Sequence, residues 1–314
     1  MRQRRKGHLK HLGVKQRTLR IYRAALVCFQ QWLRLMGFRT PVSTAELDLR
    51  AAAHLNHLFQ EGESLARGGH FLSAVRRFAP AAKHALHTAQ LWYANWKSTT
   101  KPVRALPLPV GVLKGFAGLA LATNRIDLAA LLAVGFLGLL RTGEIVSLQP
   151  QQCLFQSGGH KVVLSLTDTK TSGRNAGIEE IVIHDQVACA LLRLACKRTQ
   201  PTKPIYSRAP SMLKQDLVTL GRMVGLVHPQ LTGYSIRRGG ASWHFLAFHS
   251  LDATTLLGRW KQKRTARLYI AGAAAEIASW HIGGAGRALL LQAERVLIAV
   301  AKLGAAGGEA SVGQ

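Results

Sequence analysis

The stretch LLGRWKQKRTARLYI, Leu256 to Ile270, sets a Trp nine residues before a Tyr and crowds five cations around them. Two readings compete for Tyr269. It is a core aromatic on a helix whose other face is wet, or a nucleophile held near a phosphate that the cations attract. On its own, such a Trp–Tyr spacing is usually core packing. The rest of the chain decides.

Outward from that stretch, the charge balance is the most informative bulk property. Lys and Arg number 42 against 15 Asp and Glu, a formal charge of +27. Self-repulsion of that size is tolerable when the natural partner is a polyanion. No acidic residue precedes Glu46, and only Asp127 falls between Glu63 and Glu144. Nucleic acid and anionic membrane are the partner classes left. The longest apolar run, LAALLAVGFLGLL from Leu128 to Leu140, has 13 residues, whereas a spanning helix needs roughly 20. Flanked by Asp127 and Arg141, it reads as a buried core helix, so no membrane is expected. The stretch MRQRRKGHLKHLGVKQR has no apolar segment behind its charges and does not read as a secretory signal. Cys28, Cys153, Cys189 and Cys196 form no CxxC pair. They read as reduced, mostly buried thiols of an intracellular protein. Nucleic acid is the favoured partner.

A chain of 314 residues exceeds one core of ordinary size, so two domains are expected. Residues 1–17 read as a basic flexible arm. Thr18 can cap a helix carrying Leu19, Tyr22, Leu26, Phe29 and Leu33, which Gly37 stops. STAE at Ser43–Glu46 is a capping-box pattern. Gly62 ends that second helix, and the pair Gly68–Gly69 marks a turn before a third. A fourth runs through LHTAQLWYANW to Trp96. Residues 18–97 thus form a helical unit, and the Pro-bearing stretch 98–108 is a linker. From 109 to 303 the chain opens with helices near 110–123 and 126–140. It then offers three β-prone runs, CLFQ, KVVLSL and IEEIVIHD, and returns to helical periodicity. Residues 304–314 read as a disordered tail. The expected fold is mostly α, a helical domain followed by a mixed α/β domain with a small three-stranded antiparallel sheet.

Taken singly, the cationic features are bland. Arg141 in LLRTGEI is a cation capping a buried helix, Lys170 in DTKTSG is a solvated loop lysine, and YSIRRGGAS is a helix start. Together and in order they resemble the tyrosine recombinase (phage integrase-like) family. There the catalytic domain carries an Arg followed by Gly-Glu, a Lys in a β-hairpin and an H-x-x-R box. A His or Trp then precedes the Tyr by nine residues. The wording RRGGAS and GRW is similar to recombinases of eukaryotic mobile elements of the Crypton-like branch. In that family a small helical core-binding domain precedes the catalytic one, which agrees with the layout above.

The resemblance implies a site-specific recombinase or integrase that cuts and rejoins DNA through a 3′-phosphotyrosyl intermediate, with neither ATP nor metal and no cofactor. It implies Tyr269 as nucleophile, Arg141 and Arg237 as forks on the phosphate oxygens, Trp260 as an indole donor and Lys170 as general acid. Glu144 supports an arginine without carrying protons. Two guanidiniums and an indole N–H are the donor set that stabilises a transferring phosphoryl group. Tyr234 stands where the family usually has His, and a phenol is a poor base near neutral pH. Arg238, Arg259, Lys261, Lys263 and Arg264 are candidate DNA contacts. The partners implied are double-stranded DNA and a homotetramer on two sites, a dimer per site. The helix Arg287–Leu303 docks on a neighbouring protomer or packs on its own domain. The basic arm and the first helical domain clamp the duplex, and RQRRK serves equally as a nuclear-import signal. The compartment is the nucleus in a eukaryote and the cytoplasm or nucleoid in a bacterium. A type IB topoisomerase and a catalytically impaired DNA-binding remnant of a mobile element are the alternatives.

Overall fold

A computed structural model of the chain describes residues 14, 16–100, 104–156, 160–166, 179–226, 230–270 and 282–309. It divides into two compact units, the second beginning at Arg104. The first holds α1 (Gln16–Leu35), α2 (Thr44–Gln60), α3 (Leu65–Phe78) and α4 (His87–Thr99). The apolar stripe of α1 buries Leu19, Phe29, Trp32 and Leu33. Phe29 meets Phe71 of α3 and His54 of α2 at ring-centroid distances of 4.9 and 5.2 Å. The start of α2 behaves as its pattern predicts, since Ser43 Oγ accepts from the Glu46 amide at 3.1 Å. The glutamate reaches one residue further back than a capping box, to the Val42 amide. Gly37 and Gly62 both adopt positive φ at helix ends, which glycine enters without strain.

One expectation fails here. Gly68 and Gly69 mark no turn; they lie inside α3. A Cβ on Gly68 would fall 2.7 Å from the Trp96 ring, and one on Gly69 would fall 2.6 Å from the Tyr93 hydroxyl. The pair lets α3 press against α4. Close helix contact, not chain reversal, selects them.

The second unit is built on α5 (Val110–Ala122) and α6 (Ile126–Leu137). Every residue from Leu128 to Phe136 is buried, as suits a helix apolar on all faces. A single turn of helix, α7 (Thr142–Ser147), leads to β1 (Cys153–Phe155), β2 (Val162–Leu166) and β3 (Glu179–Ile183), antiparallel in that order. Alternate residues Val162, Leu164 and Leu166 enter the core, the period a strand requires. The chain continues through α8 (Gln186–Lys197), α9 (Leu213–Met223), α10 (Gly233–Phe248), α11 (Leu251–Leu257), α12 (Lys263–Tyr269) and α13 (Gly284–Glu309).

The helix expected over 287–303 is longer at both ends. Its backbone stays helical to Glu309, so the segment read as a tail begins as helix, in keeping with the helix-forming Ala305 and Ala306. It packs within its own unit. Leu290 and Ala293 sit against Gly115 and Gly118 of α5, where any Cβ would lie within 2.2 Å of them. Its other side still exposes Leu291, Val296 and Ile298. Among the described residues, no helix is long and apolar enough to cross a membrane.

Candidate active site

Three segments distant in sequence deliver the site. The first is the turn Leu139–Arg141 leaving α6. Leu139 has φ +46, a left-handed conformation that a leucine adopts only under constraint. The left-handed residue closes the end of α6, where the Leu140 amide donates to the Gly135 carbonyl at 2.9 Å, and the Leu139 carbonyl accepts from Arg237 Nη1 and, at 3.3 Å, from Arg259 Nη2. Arg141 follows as the N-cap of α7. Its amide donates to Glu144 Oε2 at 2.7 Å, and its guanidinium reaches Glu144 Oε1 at 2.6 Å and Glu179 Oε2 at 3.4 Å.

The second segment is the first turn of α10. Thr232 and Ser235 close a reciprocal cap there. Tyr234 and Arg237, three apart, share a face. Arg238 is turned about 100° away from Arg237 and donates instead to the Ala105 carbonyl at 2.5 Å. It ties the helix to the incoming chain. Arg238 is buried, and its contact in this structure is this tether. The two glycines after it let α10 sink into the core. A Cβ on Gly239 would stand 2.0 Å from the Leu108 carbonyl oxygen, and one on Gly240 would stand 2.2 Å from that of Phe136.

The third segment is the opening stretch, now seen as the end of α11, a turn and α12. The Gly258 carbonyl accepts from Arg237 Nη2, 2.5 Å away. Arg259 takes φ +56 and turns inward, to Glu144 Oε2 at 2.7 Å and Glu179 Oε2 at 3.0 Å. Its side chain is 11% exposed, drawn in by the two carboxylates. Lys261, Lys263 and Arg264 remain exposed, and Lys263 pairs with Asp252 at 2.6 Å.

Trp260 and Tyr269 come together as the spacing suggested. Their ring centroids are 4.8 Å apart. The Arg237 guanidinium carbon lies 4.7 Å from the Trp260 ring and 5.5 Å from the Tyr269 ring, within cation–π range. Tyr234 stacks on Tyr269 at 6.3 Å and is half exposed. Tyr206, by contrast, is buried and donates to Asp216 at 2.6 Å. Lys170 falls outside the described residues.

The electrostatics follow from this packing. Burial works against the Arg141 cation, but Glu144 and Glu179 outweigh it and hold its pKa above the ordinary value. Burial likewise pushes the Glu144 carboxyl up, and Arg259 and Arg141 pull it below its usual range. Arg237 is different. Burial, then the nearby charges of Arg259 and Arg141, bring it down to about 10. Its Nε is buried without a hydrogen-bond partner. Among the described residues, three guanidiniums face two carboxylates. Tyr269 is held above the ordinary phenol value by burial and then by Tyr234, against the opposing pull of Arg237 and Trp260.

Such an arrangement can bind a tetrahedral anion and present a hydroxyl to it. Sequence reasoning missed two contributors. The Leu139 carbonyl has no side-chain signature. Glu179, at the start of β3, was visible only as one of two carboxylates in IEEIVI. Among the described residues, no group of three His, Cys, Asp or Glu could hold a metal ion. Elsewhere, a groove of about 250 Å³ in the first unit is lined by Leu55, Phe59, Trp92 and Trp96 with Asn56 and Asn95. It contains none of the residues above.

No protein-family model and no curated protein matches the chain. Solved structures do. The Tn1549 transposon integrase in complex with transposon right end DNA superposes with a TM-score of 0.61 at 12% identity, covering 85% of this chain and 94% of that one. A lambda integrase tetramer bound to a Holliday junction gives 0.57 at 16% identity, covering 84% and 74%. The XerH site-specific recombinase bound to its difH substrate gives 0.53 at 14%, covering 83% and 78%. Across both units, this chain has the fold of the tyrosine recombinases and integrases.

Proposed function

We propose that the chain is a tyrosine-type DNA strand transferase, a site-specific recombinase or integrase. The observation that carries this reading is the placement of Tyr269 and Trp260 over Arg237, a buried guanidinium that no described carboxylate pairs with. A scissile phosphate supplies the missing anion. Arg237 and Arg141 donate to its non-bridging oxygens, and the Trp260 indole N–H adds a third donor.

The Tyr269 oxygen attacks phosphorus in line. The bond to the 5′-oxygen breaks, leaving a 3′-phosphotyrosyl linkage and a 5′-hydroxyl protonated by Lys170. Because the phosphodiester energy is kept in the linkage, attack by another 5′-hydroxyl rejoins strands without ATP. Glu144 and Glu179 hold Arg141 and Arg259 in place, and Glu179 lies where β3 begins, just after the segment that carries Lys170. Lys261 and Arg264 meet DNA phosphates beyond the site. The exposed side of α13, with Leu291, Val296 and Ile298, supports docking of a second protomer, and the assembly proposed is a dimer per site and a tetramer on two sites.

The test uses nicked duplexes of randomised sequence, from which the short 5′-hydroxyl fragment diffuses away and traps the adduct. Wild-type protein is expected to form a covalent DNA complex and Tyr269→Phe none. An adduct surviving Tyr269→Phe overturns the nucleophile. Intact DNA binding with no adduct in either overturns catalysis.

A further inference from the structure

The turn between α11 and α12 carries an arginine where its backbone asks for glycine. Gly258 caps α11, and the chain then closes as a Schellman turn does. The Arg259 amide donates to the Leu256 carbonyl at 2.9 Å, and the Trp260 amide donates to that of Thr255 at 3.1 Å. The left-handed residue of such a turn is ordinarily glycine, because a Cβ is strained there. Here it is Arg259, at φ +56. The contacts of its side chain offset that strain.

One guanidinium joins three segments. Arg259 Nη2 donates to Glu144 Oε2 in α7 at 2.7 Å and to the Leu139 carbonyl past the end of α6 at 3.3 Å. Nη1 donates to Glu179 Oε2, at the head of β3, at 3.0 Å. Glu144 Oε2 also accepts from the Arg141 amide, so a single carboxylate oxygen registers the turn against the backbone of Arg141. On the turn itself, the Gly258 carbonyl accepts from Arg237. The Trp260 ring lies so close over Gly258 that a Cβ there would fall 2.0 Å from it. Both terminal nitrogens of Arg259 meet protein acceptors, so it acts through its neighbours.

We propose that Arg259 is a positioning residue, whose guanidinium tethers the left-handed turn to Glu144 and Glu179 and thereby places the Trp260 indole relative to Arg141 and Arg237. The inference rests on the strand-transfer reading of the site. Trp260 directly follows the tethered residue, so its ring moves with the turn. Without the tether the turn keeps its main-chain bonds and loses its register against Arg141. The indole N–H then loses its aim at the phosphate, and a misplacement of about 1 Å costs about a hundredfold in rate.

The test compares the full-length wild type with Arg259→Gly, both carrying fluorotryptophan, by fluorine NMR and by the trapping assay. The Trp260 resonance is assigned by its loss in Trp260→Phe. Glycine suits the left-handed backbone, so the substitution removes the guanidinium and leaves the turn. The Trp260 resonance is expected to move. Adduct formation at saturating nicked duplex is expected to fall about a hundredfold, with DNA affinity unchanged. Millimolar guanidinium chloride, against sodium chloride at the same concentration, is expected to return both readouts toward wild type. Should Arg259→Gly fail to fold, Arg259→Lys must still displace the resonance, because one ammonium cannot reproduce a fork on two carboxylates. An unmoved Trp260 resonance in a folded variant, adduct at the wild-type rate, or no guanidinium effect on either readout would each overturn the proposal. A displaced resonance that guanidinium restores, in a protein whose wild type forms no adduct, would uphold the tether and overturn only the strand-transfer reading.

Discussion

At the scale of single residues, Tyr269 and Tyr234 define the proposed chemistry and its weakness. Burial keeps the Tyr269 phenol above its ordinary value, so it is protonated near neutral pH and must lose that proton during attack. Adduct formation is expected to climb with pH from about 7 to about 9, the range over which hydroxide replaces a missing base. A flat profile measured on the trapped complex contradicts this. Tyr234→His places an imidazole beside Tyr269 and is expected to raise the rate near pH 7 by about tenfold or more, in the range of general-base catalysis. An unchanged rate shows that proton removal is not limiting. Of this site, the residue types were legible in the sequence because each carries a distinctive donor or nucleophile at a recognisable spacing. The inward turns of Arg238 and Arg259 were not. Whether a guanidinium faces DNA or a carbonyl depends on backbone conformation far along the chain, which residue type does not encode.

At the scale of elements, glycine placement and buried polar groups decide what the helices tolerate. The helices of the first unit, α5, α6, α13 and all three strands were legible from periodicity, and Gly37 and Gly62 from their positions after helical runs, whereas α7, α9 and α11 were not read as separate elements. Gly68 and Gly69 misled because a turn and a close helix contact use the same residue. The glycines of α10 make the second kind of demand. Gly240→Ala is expected to lower stability by about 2 kcal/mol, as overpacking does, and to weaken adduct formation by shifting Arg237; thermal unfolding and the trapping assay check both. The first unit carries its own pH limit. His54 is buried among Phe29, Trp32 and Phe71. Burial, then the nearby His57 and Arg67, bring it down from 6.5 to about 4. The unfolded chain binds a proton below pH 6.5 that the folded one refuses until about pH 4. Stability from this group is present above pH 6.5 and lost as pH falls through that window, by up to about 3 kcal/mol. Amide exchange across α1–α3 at pH 7 and pH 5 is expected to reveal the loss in wild type and a smaller one in His54→Phe.

At the scale of the whole molecule, the proposed DNA affinity of a chain with a charge of +27 is expected to fall steeply with salt. The structure divides the cations into those that face solvent and those that face carboxylates. Lys261→Ala and Arg264→Ala are each expected to flatten the logarithmic salt dependence by about one unit. Arg259→Ala should leave that slope unchanged and reduce adduct formation, since it strips Glu144 and Glu179 of a partner. Equal flattening in all three would show Arg259 reaching phosphate. The two-unit layout was legible in the sequence from the Pro-bearing stretch. The packing of α13 on its own unit was not, because an apolar helix does not declare which surface it covers.

The Leu139 carbonyl has one more implication, for how such a site can drift. It is the shared acceptor for Arg237 and Arg259, and a peptide oxygen survives every substitution that keeps the local backbone. Heritable change at position 139 is filtered by φ and by the burial of its side chain. Unbranched apolar residues such as methionine can follow leucine there, while valine and isoleucine are shut out by their branched Cβ in a left-handed turn and asparagine by the cost of a buried amide. Two arginines thus hang from a hook that no side-chain identity records. Sequences can diverge to the level of 12–16% identity seen among these folds while such an anchor passes unchanged beneath the alphabet in which alignments are written.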